Sequence, residues 1–93
     1  MPEIIIYTAG FCPYCTMAKR LLDKKGVTYT EINVDAEPGL RQAMMEKTQR
    51  RTVPQIYIGT THIGGFDDLY ALELQKQLDP LLVKSILAAE QPS

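Results

Sequence analysis

The two cysteines of this 93-residue chain stand three positions apart, in Gly10-Phe11-Cys12-Pro13-Tyr14-Cys15, between a short apolar run and a helical pattern. That placement limits what the first third of the chain can become. Upstream, Ile4-Ile5-Ile6-Tyr7 is continuously apolar, as expected of a central strand covered on both faces and ending near Thr8. Downstream, Tyr14, Met17, Ala18, Leu21 and Leu22 recur at spacings of three and four, the period of an amphipathic helix. Pro13 fits the first turn of that helix, where no backbone N–H is needed. Lys24-Lys25 followed by Gly26 is a stop signal, with basic charge at the negative end of the dipole and a glycine for the left-handed cap. Val27 to Val34 then reads as a second strand. Strand, helix and strand at these lengths predict a βαβ unit with a right-handed crossover and parallel strands.

The remaining pattern adds antiparallel strands and more helix. Residues 35–48 read as a helix with Pro38 in its first turn and Leu40, Ala43, Met44 and Lys47 along one stripe. Gln55-Ile56-Tyr57-Ile58 and Thr61-His62-Ile63-Gly64 flank Gly59-Thr60, a link suited to a type II′ hairpin. Asp67 or Asp68 can cap a helix through Leu69, Leu72 and Leu74, and Asp79-Pro80 opens a final helix. The order is βαβαββα with a helical extension, in one domain spanning 1–93 whose last residues, 90–93, fray.

Charge and hydropathy exclude several classes of partner. A formal net charge of −1 gives no general attraction to nucleic acid or to acidic membranes. No apolar run approaches the ~20 residues that span a bilayer, and MPEIIIYTAG lacks the basic region and long apolar core of a secretion signal. The expected compartment is the cytosol, where a cysteine pair is more often catalytic or metal-binding than a structural staple. Hydrophobic residues at 45% and charged residues at 23% favour a globular fold over disorder.

At the start of a helix, Cys12 would lie beside unpaired backbone N–H groups that favour a thiolate over a thiol. Such settings lower a cysteine pKa from ~8.5 into the ~3.5–7.5 range. Cys15, almost one turn on, can reach Cys12 but sits deeper against the helix. The expected division of labour has Cys12 attacking external disulfides and Cys15 resolving the mixed disulfide. Zinc is the weaker reading, because four ligands are usual and Cys12, Cys15 and His62 are the obvious soft ones. Two inert buried cysteines fit poorly with Pro13 and a helix start.

Three blocks together make the chain resemble the glutaredoxins, specifically the small bacterial dithiol type. They are Cys12-Pro13-Tyr14-Cys15, Thr52-Val53-Pro54 with Gln55-Ile56-Tyr57-Ile58, and Gly64-Gly65-Phe66-Asp67-Asp68-Leu69. The resemblance implies a thioredoxin fold, α/β with a four-stranded mixed sheet flanked by helices. It also implies glutathione as co-substrate, no metal, and disulfide-containing or glutathionylated proteins as partners of a monomer. A cis Val53–Pro54 bond is implied, with the Val53 backbone pairing with the cysteinyl part of glutathione and Thr52 adding hydroxyl and backbone contacts. Gly65 and the following helix start would receive the glutamyl carboxylate, Asp67 or Asp68 its ammonium, and Tyr14 and Phe66 would border the groove. By pattern alone, the aspartates are caps and the glycines a turn.

Departures from the family pattern carry their own expectations. Relatives commonly have Lys where this chain has Ala9, so Arg51 and Arg41 become the candidates for the missing cation. Gln49 stands where many relatives have Gly, which implies a different geometry before Arg50. His62 reads as a surface side chain, and Met17, Met44 and Met45 as core fillers. The rival function is a [2Fe–2S] carrier, with Cys12 from two chains and two glutathiones as ligands; Pro13 crowds that place and makes it the lesser reading.

Overall fold

The computed structural model describes residues 3–82. Its elements are β1 (Ile4–Thr8), α1 (Pro13–Lys24), β2 (Thr30–Asn33), α2 (Leu40–Thr48), β3 (Gln55–Ile58), β4 (Thr61–Gly64) and α3 (Phe66–Leu74). Residues 78–82 are again helical, and the tail expected to fray at 90–93 lies outside the described residues. The sheet order is β2-β1-β3-β4, with β1 and β2 parallel and the other two pairs antiparallel.

The continuous apolar run has the physical cause expected of it. β1 has a strand on each side, and its alternate residues feed two cores. Ile4 and Ile6 join Ala18, Leu22, Ile56, Leu69 and Leu78 beneath α1 and α3. Tyr7 joins Val34, Met44 and Tyr57 on the face covered by α2, with Ile5 packed against them. The described residues thus form a sheet covered on both faces, which leaves its strand ends and connecting loops to build a site. Among them, no helix is long and apolar enough to cross a membrane.

α1 follows its sequence signals closely. It starts at Pro13 and closes on Lys25, with Gly26 left-handed at φ 74°. The hairpin also has the expected link, Gly59 at φ 63° followed by Thr60 without a positive φ.

Four readings need correction. β2 starts at Thr30 rather than Val27. α2 starts at Leu40 rather than Asp35, because Gly39 sits left-handed at φ 91° and a chain in that conformation is not yet helical. Asp35, which looked like a helix start, instead accepts from the Gly10 N–H at 3.4 Å and from Arg41 at 3.2 Å. The last helix begins at 78, ahead of Asp79, whose carboxylate is taken by Lys25 Nζ at 2.8 Å. Lys25 also reaches Glu73 at 2.7 Å, and its pKa is raised by these bonds, that to Asp79 first. Finally, Met44 is fully buried but Met17 is 44% exposed, so only one of these two fills core.

Gln49 adopts the geometry that a glycine would take. It caps α2 at φ 59°, ψ 26°, in the left-handed region, with its side-chain amide donating to Glu46 O at 2.8 Å. The α2 end ahead of Arg50 is thus closed by a left-handed residue that is not a glycine.

Candidate active site

Cys12 is the N-cap of α1, in extended conformation at φ −146°, ψ 96°. Its Sγ accepts from the Cys15 N–H at 3.1 Å, the place usually taken by a serine or aspartate oxygen. Pro13 has no N–H to offer, and the first intrahelical bond is Thr16 N–H to Cys12 O at 3.1 Å. The first turn of α1 carries no acidic residue to oppose an anion there. The Cys12 and Cys15 sulfurs are joined as a disulfide, with Cα atoms 5.1 Å apart. Cys12 is half-buried while Cys15 is 2% exposed, so an external reagent meets the first and not the second.

The loop before β3 forms the opposite wall. Val53–Pro54 is cis, and Val53 O lies 3.7 Å from Cys12 Sγ. Pro54 is buried and precedes the strand, where its missing donor breaks no ladder. Thr52 is held from behind, its carbonyl and hydroxyl oxygens accepting from Gln55 Nε2 at 2.9 and 3.3 Å.

The third wall is the start of α3, with Gly65 as N-cap. Asp68, in the first turn, accepts from the Gly65 N–H at 2.9 Å, so it closes the helix start from within rather than capping it from outside. Gly64 is left-handed at φ 113°, and a Cβ there would collide with the Asp68 carboxylate. Gly64 is therefore required by this packing, whereas a Cβ at Gly65 would meet only Pro54 O at an ordinary 3.5 Å.

These walls enclose an open groove of about 270 Å³. Tyr14, Thr52, Val53, Pro54, Gly65, Phe66, Asp67 and Asp68, the eight residues implied by the resemblance, all line it. Tyr14 and Phe66 stack at 6.3 Å on its rim, and Tyr70 continues the stack at 5.6 Å from Phe66.

Arg50 lines the groove too, and sequence reasoning missed it. Its guanidinium meets Asp68 at 3.4 Å, with both side chains about half exposed. Of the two arginines expected instead, Arg41 is paired with Asp35 and Arg51 is exposed and no part of the lining. The available signal was alternation: in an extended loop residues 50 and 52 share a face, and 51 takes the other.

His62 also departs from expectation. It is partly buried, stacks on Tyr57 at 4.9 Å and meets Gln55 Oε1 through Nε2 at 2.8 Å. Burial pushes its pKa down, the Arg50 charge adds to that, and Asp68 opposes it. Among the described residues, no group of three or more His, Cys, Asp or Glu side chains gathers as a metal cluster would.

A mixed sheet in the order β2-β1-β3-β4, flanked by helices and carrying a cysteine pair at a helix start against a cis-proline loop, defines a thioredoxin-fold protein with a redox-active dithiol. The comparisons narrow the class. Residues 4–63 match the family model for glutaredoxin. The chain is 54% identical over 82 residues to a glutaredoxin of Pseudomonas aeruginosa, covering 88% of this chain and 98% of that one. It is 50% identical over 82 residues to glutaredoxin 3 of Escherichia coli K12, covering 88% and 99%. A buckwheat glutaredoxin–glutathione complex superposes with a TM-score of 0.84 at 31% identity, over 90% of this chain and 79% of that one. The chain belongs to the glutaredoxin family.

Proposed function

We propose that this protein is a cytosolic, monomeric, glutathione-dependent thiol–disulfide oxidoreductase, acting on protein disulfides and on protein–glutathione mixed disulfides. The observation that carries this reading is the half-buried Cys12 sulfur, held by the Cys15 N–H and 3.7 Å from the carbonyl of Val53, which lines a groove together with Arg50, Asp67 and Asp68. The buckwheat relative's complex with glutathione supports the choice of ligand.

In the one-cysteine route, the Cys12 thiolate attacks the glutathione sulfur of a protein–glutathione disulfide. The S–S bond breaks, Cys12–S–S–glutathione forms, and the protein sulfur leaves as a thiolate that takes a proton from water. A second glutathione thiolate attacks the glutathione sulfur on Cys12, giving oxidised glutathione and the starting thiolate. In the two-cysteine route, Cys12 attacks a protein disulfide; Cys15 then loses its proton and attacks Cys12 Sγ, releasing the second protein thiol. The resulting Cys12–Cys15 bond is reduced by two glutathiones.

The groove offers a group for each polar part of the tripeptide. The Phe66 and Asp67 N–H groups open α3 without intrahelical partners, and with Arg50 they suit the glutamyl carboxylate. Asp68, with Asp67 beside it, suits the ammonium. The Val53 backbone suits the cysteinyl unit, which puts that sulfur next to Cys12.

The test is glutathione-dependent reduction of a small mixed disulfide, with oxidised glutathione recycled by glutathione reductase. Turnover with glutathione as sole donor is expected. Absence of turnover with glutathione, alongside turnover with a flavoprotein thioredoxin reductase, would overturn the reading.

A further inference from the structure

Gln55 is wholly buried, at 0% exposure, a costly place for an amide unless each polar atom is partnered. Its partners define a relay. The Thr52 carbonyl can only accept, so the Gln55 amide nitrogen faces Thr52, at 2.9 Å from the carbonyl and 3.3 Å from Oγ1. Its Oε1 is thereby turned toward His62 Nε2 at 2.8 Å, and because that oxygen can only accept, Nε2 must carry the imidazole proton. His62 reaches this position because the β3–β4 register shifts between Ile56 and Tyr57, which sets its ring flat on Tyr57 and its tip on Gln55.

We propose that His62 and Gln55 are positioning residues. They form a hydrogen-bonded relay from β4 through β3 that fixes Thr52, and with it the Val53 backbone, opposite Cys12. The relay sets affinity for the glutathione part of the substrate and leaves the exchange rate at Cys12 untouched, an inference that rests on the glutathione reading above. Thr52 needs such support: it is exposed, lies outside any strand, and both its oxygens are held by Gln55. Without the His62 donor, Gln55 Oε1 is buried and unpaired, and the amide loses the bond that fixes its rotation toward Thr52.

His62→Phe keeps the stack on Tyr57 but removes the donor; His62→Gln restores an N–H. With a glutathionylated peptide as substrate, His62→Phe is expected to raise KM roughly fivefold or more at unchanged kcat, with His62→Gln recovering most of the loss. A lowered Tm with KM unchanged well below the transition would overturn the proposal, since a purely structural role moves stability alone. Ring nitrogen NMR of the wild-type protein decides independently of activity and of variant folding. The Nε2-protonated tautomer, with a slowly exchanging proton, is expected; an Nδ1-protonated ring would contradict the relay. If wild type fails to use glutathione, the functional reading falls, while the NMR result still judges the relay.

Discussion

Two helix starts face the same groove, and they handle their free N–H groups in opposite ways. At α1 the N-cap is Cys12, whose own sulfur accepts the Cys15 N–H, and the first turn has no acid. At α3 the N-cap is Gly65, without a side chain, and the first turn has Asp67 and Asp68. The same backbone polarity thus yields two chemistries. Where a sulfur takes the donor, the helix polarity favours negative charge on that sulfur; where a backward-reaching carboxylate takes it, the remaining donors and acids set both signs of charge side by side. Access follows the same division, with Cys12 half-buried, Cys15 enclosed and Asp67 and Asp68 exposed.

The largest effect should come from the sulfur. Cys12→Ser is expected to abolish reduction of both protein disulfides and glutathione mixed disulfides, by at least about a thousandfold, because a hydroxyl is not ionised at neutral pH. Cys15→Ser should lose the protein-disulfide route and keep deglutathionylation, as paired assays on the two substrates would show. Loss of both in Cys15→Ser would break the distinction between attacker and resolver.

On the α3 side, Gly64→Ala should destabilise by about 1–3 kcal/mol in denaturant unfolding, since a Cβ at φ 113° is strained and strikes Asp68. Asp68→Ala should raise KM for glutathione substrates by roughly tenfold with kcat nearly kept, because it removes both the Gly65 bond and the Arg50 partner. A fall in kcat at unchanged KM would mean that the second helix start takes part in exchange rather than recognition.

The smallest effect is a control outside the groove's lining. The Glu31 carboxyl lies below its ordinary 4.5 chiefly because the Thr8 hydroxyl donates to it at 2.7 Å; burial opposes this and Lys19 adds to it. Its folded pKa is below its unfolded one, so its stabilising contribution is complete above 4.5 and is lost as pH falls through the folded value. Glu31→Gln should flatten that segment of the acid unfolding curve and leave turnover at neutral pH unchanged.

What the sequence revealed depended on whether the cause was local. α1 was legible because Pro13, the apolar spacing and Lys24-Lys25-Gly26 act within a turn or two. The start of α2 was not, because Asp35 is claimed by Gly10 and Arg41 from elsewhere, while Gly39 turns left-handed ahead of Leu40. Gln49 was illegible for a related reason: its left-handed φ of 59° goes with a backbone bond to Met45 O and a side-chain amide bond to Glu46 O, which residue type alone does not report. The cysteine pair was legible from spacing, whereas the grouping of Gly65, Phe66, Asp67 and Asp68 with Thr52 came from the family resemblance. Arg50 and His62 escaped because their roles arise from loop direction and from a register shift between strands, which no short window of sequence reports.

The central claim is that α1 makes Cys12 the attacking sulfur. Alkylation of the reduced protein with a limiting reagent, followed against pH and mapped by peptide, tests it most directly. Modification should fall on Cys12, with a rate midpoint well below the ~8.5 of a free cysteine. Modification of Cys15 first, or a Cys12 midpoint at the free value, would contradict it.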